Sequence, residues 1–204
     1  MPPRAKPMKP EERRQAIVAT VAPMVMESGT VPTTREIAAA AGVAEGTIYR
    51  AFDDKVQLLA AVAQHVLDPP GGDAAFAELI AGAPDLAGKV RLVAQRMQET
   101  SNRAATVFIA LRQAVVAADP IKHSKRHKPG PPGFLTRANE VLLGRLTLLF
   151  EQHATELRVE PAVAALVLRS LVYGAQHPGM TGQASLTPEQ IAEAVLHGVA
   201  RKES

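Results

Sequence analysis

The stretch from Thr33 to Phe52, TTREIAAAAGVAEGTIYRAF, constrains this chain more than any other. Thr33 is followed three positions later by Glu36. A threonine hydroxyl in that spacing accepts the Glu36 amide while the carboxylate reaches back, which makes a capping box and starts a helix. Ile37, Ala38 and Ala41 then repeat at helical spacing as a thin apolar face. Gly42 follows at once, and glycine enters the left-handed region cheaply, so the helix is expected to stop there. Val43 is placed to plug the angle before a second helix. Ile48 and Phe52, four apart, hold that second helix on the core. Two short helices around a glycine-centred turn are the layout of a DNA-reading head.

Residues left outside the core carry the chemistry. Glu45, Gly46, Thr47, Tyr49 and Arg50 face outward on the second helix. The N-terminal residues of a recognition helix meet base edges. Gly46 lets the backbone come close, and Thr47 offers a hydroxyl and a methyl. Tyr49 and Arg50 can bond phosphate oxygens. Asp54 is placed to cap a third helix, with Gln57 three residues on. Lys55 then lies in the first turn of that helix. A lysine there gains nothing from the helix dipole. Beside a phosphate it fits, because amides and ammonium share one anion. The expected DNA contacts are Thr33, Thr34, Arg35, Ala44, Glu45, Gly46, Thr47, Tyr49, Arg50 and Lys55. The competing reading of the same spacing is a plain helical hairpin.

These residues and their order resemble the tetracycline-repressor (TetR) family of bacterial regulators. The resemblance runs from about Glu12 to Val62: a first helix ending at Gly29, then the segment above, then DDKVQLLAAV. Two departures stand out. Ala44 occupies the position where the family often has a capping Ser or Thr, so this chain lacks that hydroxyl. Pro23 falls inside the first helix, where it removes a backbone bond and is expected to kink it. The resemblance implies an all-α fold. An N-terminal three-helix domain, residues 1–54 with a basic arm, would bind DNA. A larger helical domain, 55–204, would bind an effector and dimerise.

Bulk properties fit that outline. A chain of 204 residues is long enough to bury a core, as one domain or two. Cysteine is absent, which excludes disulfides and thiolate redox sensing and suits a reducing cytoplasm. No segment approaches the ~20 apolar residues of a membrane span. Net charge is only +3, so its placement matters more than its size. Arg4, Lys6, Lys9, Arg13 and Arg14 crowd the N-terminus against Glu11 and Glu12. That basic arm either adds DNA contacts or is a solvated tail.

Beyond the head the pattern is helical. Helices are expected near 54–67, 73–81, 86–101, 103–118, 134–157, 160–176 and 188–201. The irregular segment from Asp119 to Gly133 is basic and proline-rich. It could touch phosphate, bind an acidic ligand or be a solvated loop, and a charge run without apolar anchors favours the last. His123 and His127 are four apart, but no carboxylate completes a metal shell, so no metal is expected.

The body gives thinner signals. In the resembled family, helices of the body enclose an apolar effector pocket. Met97, Phe108, Arg112, Phe150 and Tyr173 are the residues whose polarizable, aromatic or polar character suits such a lining. Val163, Leu166, Ser170 and Tyr173 form one helical stripe, as do Ile191, Ala194, Val195 and Gly198. Small residues among aliphatics, Ala165 included, let helices approach closely. The resemblance implies a four-helix bundle between two copies. A symmetric dimer would read a palindromic operator, and a small effector would release it. No nucleophile elbow, phosphate loop or metal-ligand cluster points to an enzyme, and no cofactor is expected. The alternative is a helical small-molecule-binding protein without sequence-specific DNA binding.

Overall fold

The computed structural model describes residues 8–117, 133–175 and 186–199. In chain order the helices are α1 (Pro10–Ser28), α2 (Thr34–Ala41), α3 (Glu45–Ala51), α4 (Lys55–Leu67), α5 (Gly72–Ala81) and α6 (Leu86–Ala117). There follow α7 (Gly133–Glu151), a 3₁₀ turn (Ala154–Glu156), α8 (Pro161–Ala175) and α9 (Pro188–Val199). Among the described residues no β-strand element occurs, so the all-α expectation holds.

Two compact units share these helices. Of the described residues, the first unit holds 8–67 and 103–117, and the second holds 68–102, 133–175 and 186–199. Helix α6 contributes to both.

In the first unit, α1 lays Ile17, Val18, Val21, Ala22 and Val25 against α4, whose Val56, Leu58, Leu59, Val62 and Ala63 are buried. These fall at helical spacing, so each helix buries one stripe. Helix α1 runs through Pro23, which lies on its exposed side, and stops at Gly29 with φ 66°. Ile37 and Ala38 of α2, Ile48 of α3 and Phe52 close the same core.

The second unit has a larger core. Leu86, Val90, Val93, Ala94 and Met97 of α6 meet Leu146, Leu149 and Phe150 of α7. Ala164, Ala165, Leu168 and Val172 of α8 and Ile191, Ala192 and Val195 of α9 complete it. Arg145 of α7 donates from Nε to Asp73 at 2.7 Å and from Nη2 to Asp68 at 2.9 Å. That clamp needs Gly72, because a Cβ there would sit 2.6 Å from the Arg145 Nη2.

The expected break between residues 101 and 103 is absent, and α6 is one helix of 32 residues. Thr100, Ser101 and Asn102 read as cap residues, but no Gly or Pro stops the chain there. The buried positions Val90, Val93, Met97, Ala104 and Val107 keep helical phase across the polar patch. The helix expected over 134–157 ends instead at Glu151, and the 3₁₀ turn follows. The Asp119–Gly133 segment, with His123 and His127, lies outside the described residues apart from Gly133, which opens α7.

Candidate nucleic-acid interface

Local chemistry builds the head. Thr33 accepts the Glu36 amide at 3.2 Å, and Glu36 Oε2 accepts the Thr33 amide at 2.7 Å and hydroxyl at 2.8 Å. Two helix-start amides are thus satisfied reciprocally. Gly42 adopts φ 64°, and the Val43 amide bonds the Ala38 carbonyl at 3.0 Å. That is the Schellman closure which a left-handed glycine permits. Helix α3 then follows Ala44, whose N-cap position has no side-chain cap. Asp54 accepts the Gln57 amide at 2.7 Å, while the Gln57 side chain accepts the Asp53 amide at 3.0 Å. The start of α4, and Lys55 with it, is fixed by that exchange.

The geometry leaves a coherent outer face. Thr33, Arg35, Ala44, Glu45, Gly46, Tyr49, Arg50 and Lys55 are exposed, and Thr34 and Thr47 are half-buried. Tyr49 is 63% exposed, unusual for a large ring with no packing role. Its hydroxyl lies 3.4 Å from the Thr34 hydroxyl, which ties α2 to α3 on this face. A Cβ on Gly46 would meet nothing within 4 Å, and its φ is not positive, so neither packing nor backbone conformation calls for glycine there.

Glu36 also responds to pH. Hydrogen bonds from the Thr33 amide and then its hydroxyl hold the Glu36 carboxyl below its ordinary value, with a smaller contribution from Lys55. A carboxyl depressed in the folded state stabilises it above the ordinary carboxylate range. That stabilisation is lost as pH falls through the folded value. The melting difference between the wild type and Glu36→Gln should therefore shrink as pH drops from about 7 to below about 4. A difference independent of pH would contradict the box.

Sequence reasoning missed the role of Arg14. Expected in a basic arm, it lies within α1 and donates from Nη1 to the Ala51 carbonyl at 2.6 Å. Its guanidinium stands 4.3 Å from the Phe52 ring centroid. It therefore holds the C-terminal end of α3 by a charge-assisted bond and a cation–π contact. Arg14→Ala should cost the head about 1–3 kcal/mol, read as a lower denaturation midpoint. An unchanged midpoint would return Arg14 to the arm. Arg13 also lies within α1, and Arg4 and Lys6 are outside the described residues.

Residues expected to line an effector site belong to both units. Met97 and Phe150 are buried in the core of the second unit, and Tyr173 packs against it. Phe108 is half-buried in the first unit, and Arg112 there is exposed to solvent. The interface stripes also divide. Val163 and Leu166 are each 45% exposed and Ser170 is exposed, whereas Tyr173 of the same α8 stripe is half-buried. Ile191 and Val195 are fully buried in the unit's own core and offer no surface to a partner. Gly198 is exposed, and its carbonyl accepts from Arg158 Nε at 2.7 Å, which caps α9.

Comparison with known proteins places this geometry. Residues 29–62 match the family model of bacterial regulatory proteins, tetR family. A protein from Mesorhizobium loti assigned to the TetR family of transcriptional regulators has the same fold. It is 18% identical, covers 96% of this chain and 100% of its own, and gives a TM-score of 0.63. A TetR transcriptional regulator from Streptomyces coelicolor is 21% identical over 93% and 99% of the two chains, with a TM-score of 0.56. The superantigen PfiT, 20% identical over 96% and 100%, shares the fold at a TM-score of 0.55, so the fold by itself does not carry an activity. No curated protein sequence matches the chain. Among the described residues no helix is long and apolar enough to cross a membrane. Residues 29–62 thus match the model of the bacterial tetR family of regulatory proteins, on a chain with the fold of solved TetR-family regulators.

Proposed function

We propose that this protein is a transcriptional repressor of the bacterial cytoplasm that binds a palindromic operator as a homodimer and is released by a small effector. The reading rests above all on α3. It is short, preceded by a left-handed glycine turn and held by Ile48 and Phe52, yet it presents Gly46, Tyr49 and Arg50 to solvent with Lys55 close behind in sequence. A helix that only supported the head would have no use for that face.

In this account Arg50, Lys55, Tyr49, Thr34 and Arg35 bond phosphates, and Thr47 and the backbone at Gly46 meet base edges. Thr33, Ala44 and Glu45 frame the approach. Residues 1–54 form the reading head and 55–204 the body that dimerises and holds the effector. The exposed α8 stripe of Val163, Leu166 and Ser170 is the proposed dimer face. One head spans too few base pairs to be selective, and two heads related by a two-fold axis read two half-sites.

Release by an effector needs that ligand to prefer the state with lower DNA affinity, because equal affinity for both states shifts nothing. A coupling of ~1–3 kcal/mol would change operator affinity ~5–150-fold, and the effect is reciprocal. The experiment is a thermal-shift screen of small molecules, followed by titration of each hit with and without operator. Weaker binding in the presence of operator supports the switch. A tight ligand indifferent to operator would reduce the protein to a constitutive DNA binder.

A further inference from the structure

Helix α8, PAVAALVLRSLVYGA, contains a single charged residue, Arg169. Around it Ala165, Leu168 and Val172 are fully buried. Arg169 is half-buried, and its Nε reaches neither solvent nor a hydrogen-bond partner among the described residues. One turn on, the Tyr173 ring lies 5.9 Å from the Arg169 guanidinium. Burial pushes the Tyr173 hydroxyl to a higher pKa, against the pull of Arg169.

Two other arginines of this unit are answered from within the chain. Arg145 has the carboxylates of Asp68 and Asp73, and Arg158 has the carbonyls of His197 and Gly198. Among the described residues Arg169 has an aromatic face and no acid. A guanidinium stays protonated at any accessible pH, so it cannot escape by neutralising. Its planar fork of donors fits the two oxygens of a carboxylate, and a tyrosine hydroxyl can donate to the same group. Its neighbours on the helix, Ala165, Leu168 and Val172, are aliphatic.

We infer that Arg169 and Tyr173 form a recognition site for the carboxylate of a small, otherwise apolar organic acid. This rests on the effector reading above and sharpens it: the releasing ligand is an acid, and Arg169 selects for its charge.

The test uses the purified full chain, sodium octanoate as probe and octan-1-ol as its uncharged match. Without probe, Arg169→Met should melt about 2–4 °C higher than the wild type, because it removes an unanswered cation from an apolar wall. Octanoate should raise the wild-type midpoint far more than octan-1-ol does. Arg169→Met should weaken octanoate about tenfold or more, and Arg169→Lys should keep part of the binding. The chain has no Trp and only two tyrosines, so in a Tyr49→Phe background the near-ultraviolet tyrosine band reports Tyr173 alone. Octanoate should perturb that band.

A wild type that ignores octanoate, or a response equal in wild type and Arg169→Met, would overturn the site. So would an Arg169→Met protein that turns monomeric with no octanoate response, since the missing carboxylate would then come from a second copy. Operator affinity measured without octanoate keeps the two readings apart. Arg169→Met should bind operator as the wild type does, and a wild type that fails to bind any operator sinks the regulator while the octanoate results still judge the site.

Discussion

Replacing Arg50 and Lys55 together with Ala should leave the protein folded and lower its affinity for operator DNA by about 100-fold or more. Both side chains are exposed, and neither is part of the head's buried core. Each is proposed to bond a phosphate in both copies of the dimer. Removing one phosphate bond should flatten the slope of log affinity against log salt by about 0.9, so the double variant should flatten it by about 3.6. Arg50→Ala alone should weaken all sequences alike, whereas Thr47→Val should change preference among them. Affinity and salt slope measured by fluorescence anisotropy decide the matter. A double variant with wild-type affinity and slope would remove the phosphate face from α3 and α4.

Leu166→Glu should turn the proposed dimer into a folded monomer. Leu166 is exposed on α8, and the two-fold axis of the proposed dimer would place the new charge in the interface twice. Burying unpaired carboxylates there should cost several kcal/mol, on the order of 100-fold or more in the dimer dissociation constant. Val195→Glu separates the two roles of this helix pair. Val195 is fully buried inside its own unit, so that variant should unfold the unit instead of dissociating it. Light scattering with circular dichroism reads both. A Leu166→Glu protein that stays dimeric would move the interface to another face.

The contrast between Leu166 and Val195 shows where sequence reading stops. Helical spacing identifies an apolar stripe but not what covers it. Ile191 and Val195 have the periodicity of an interface, yet they are buried in the core of their own unit, where their helix packs on α8 of the same chain. The reading head was legible because its signals are local. Thr33, Glu36, Gly42, Asp54 and Gln57 act on backbone groups within a few residues, and each makes the bond its spacing implies. The unbroken α6 was legible in principle from the phase of Met97 and Ala104, had apolar periodicity been weighed above the polar patch between them. Arg14 on Ala51 depends on residues 37 apart in the chain, which no spacing rule reaches. Arg169 did leave a trace, as the lone charge in an apolar helix.

Gly46→Ala separates the DNA-reading role from mere folding. Alanine finds open space there and is the better helix former by about 1 kcal/mol, so the head should become slightly more stable. Operator affinity should fall, because the added methyl stands where DNA must approach the backbone. Stability up and affinity down is a combination that a plain helical hairpin cannot produce.

The most direct measurement is selection of duplexes from a random-sequence pool by the full-length protein, with the Arg50→Ala, Lys55→Ala double variant as control. An inverted repeat should be enriched, with two half-sites about a helical turn apart or more, bound by the wild type and not by the control. No enrichment, or enrichment that the double variant reproduces, would contradict it.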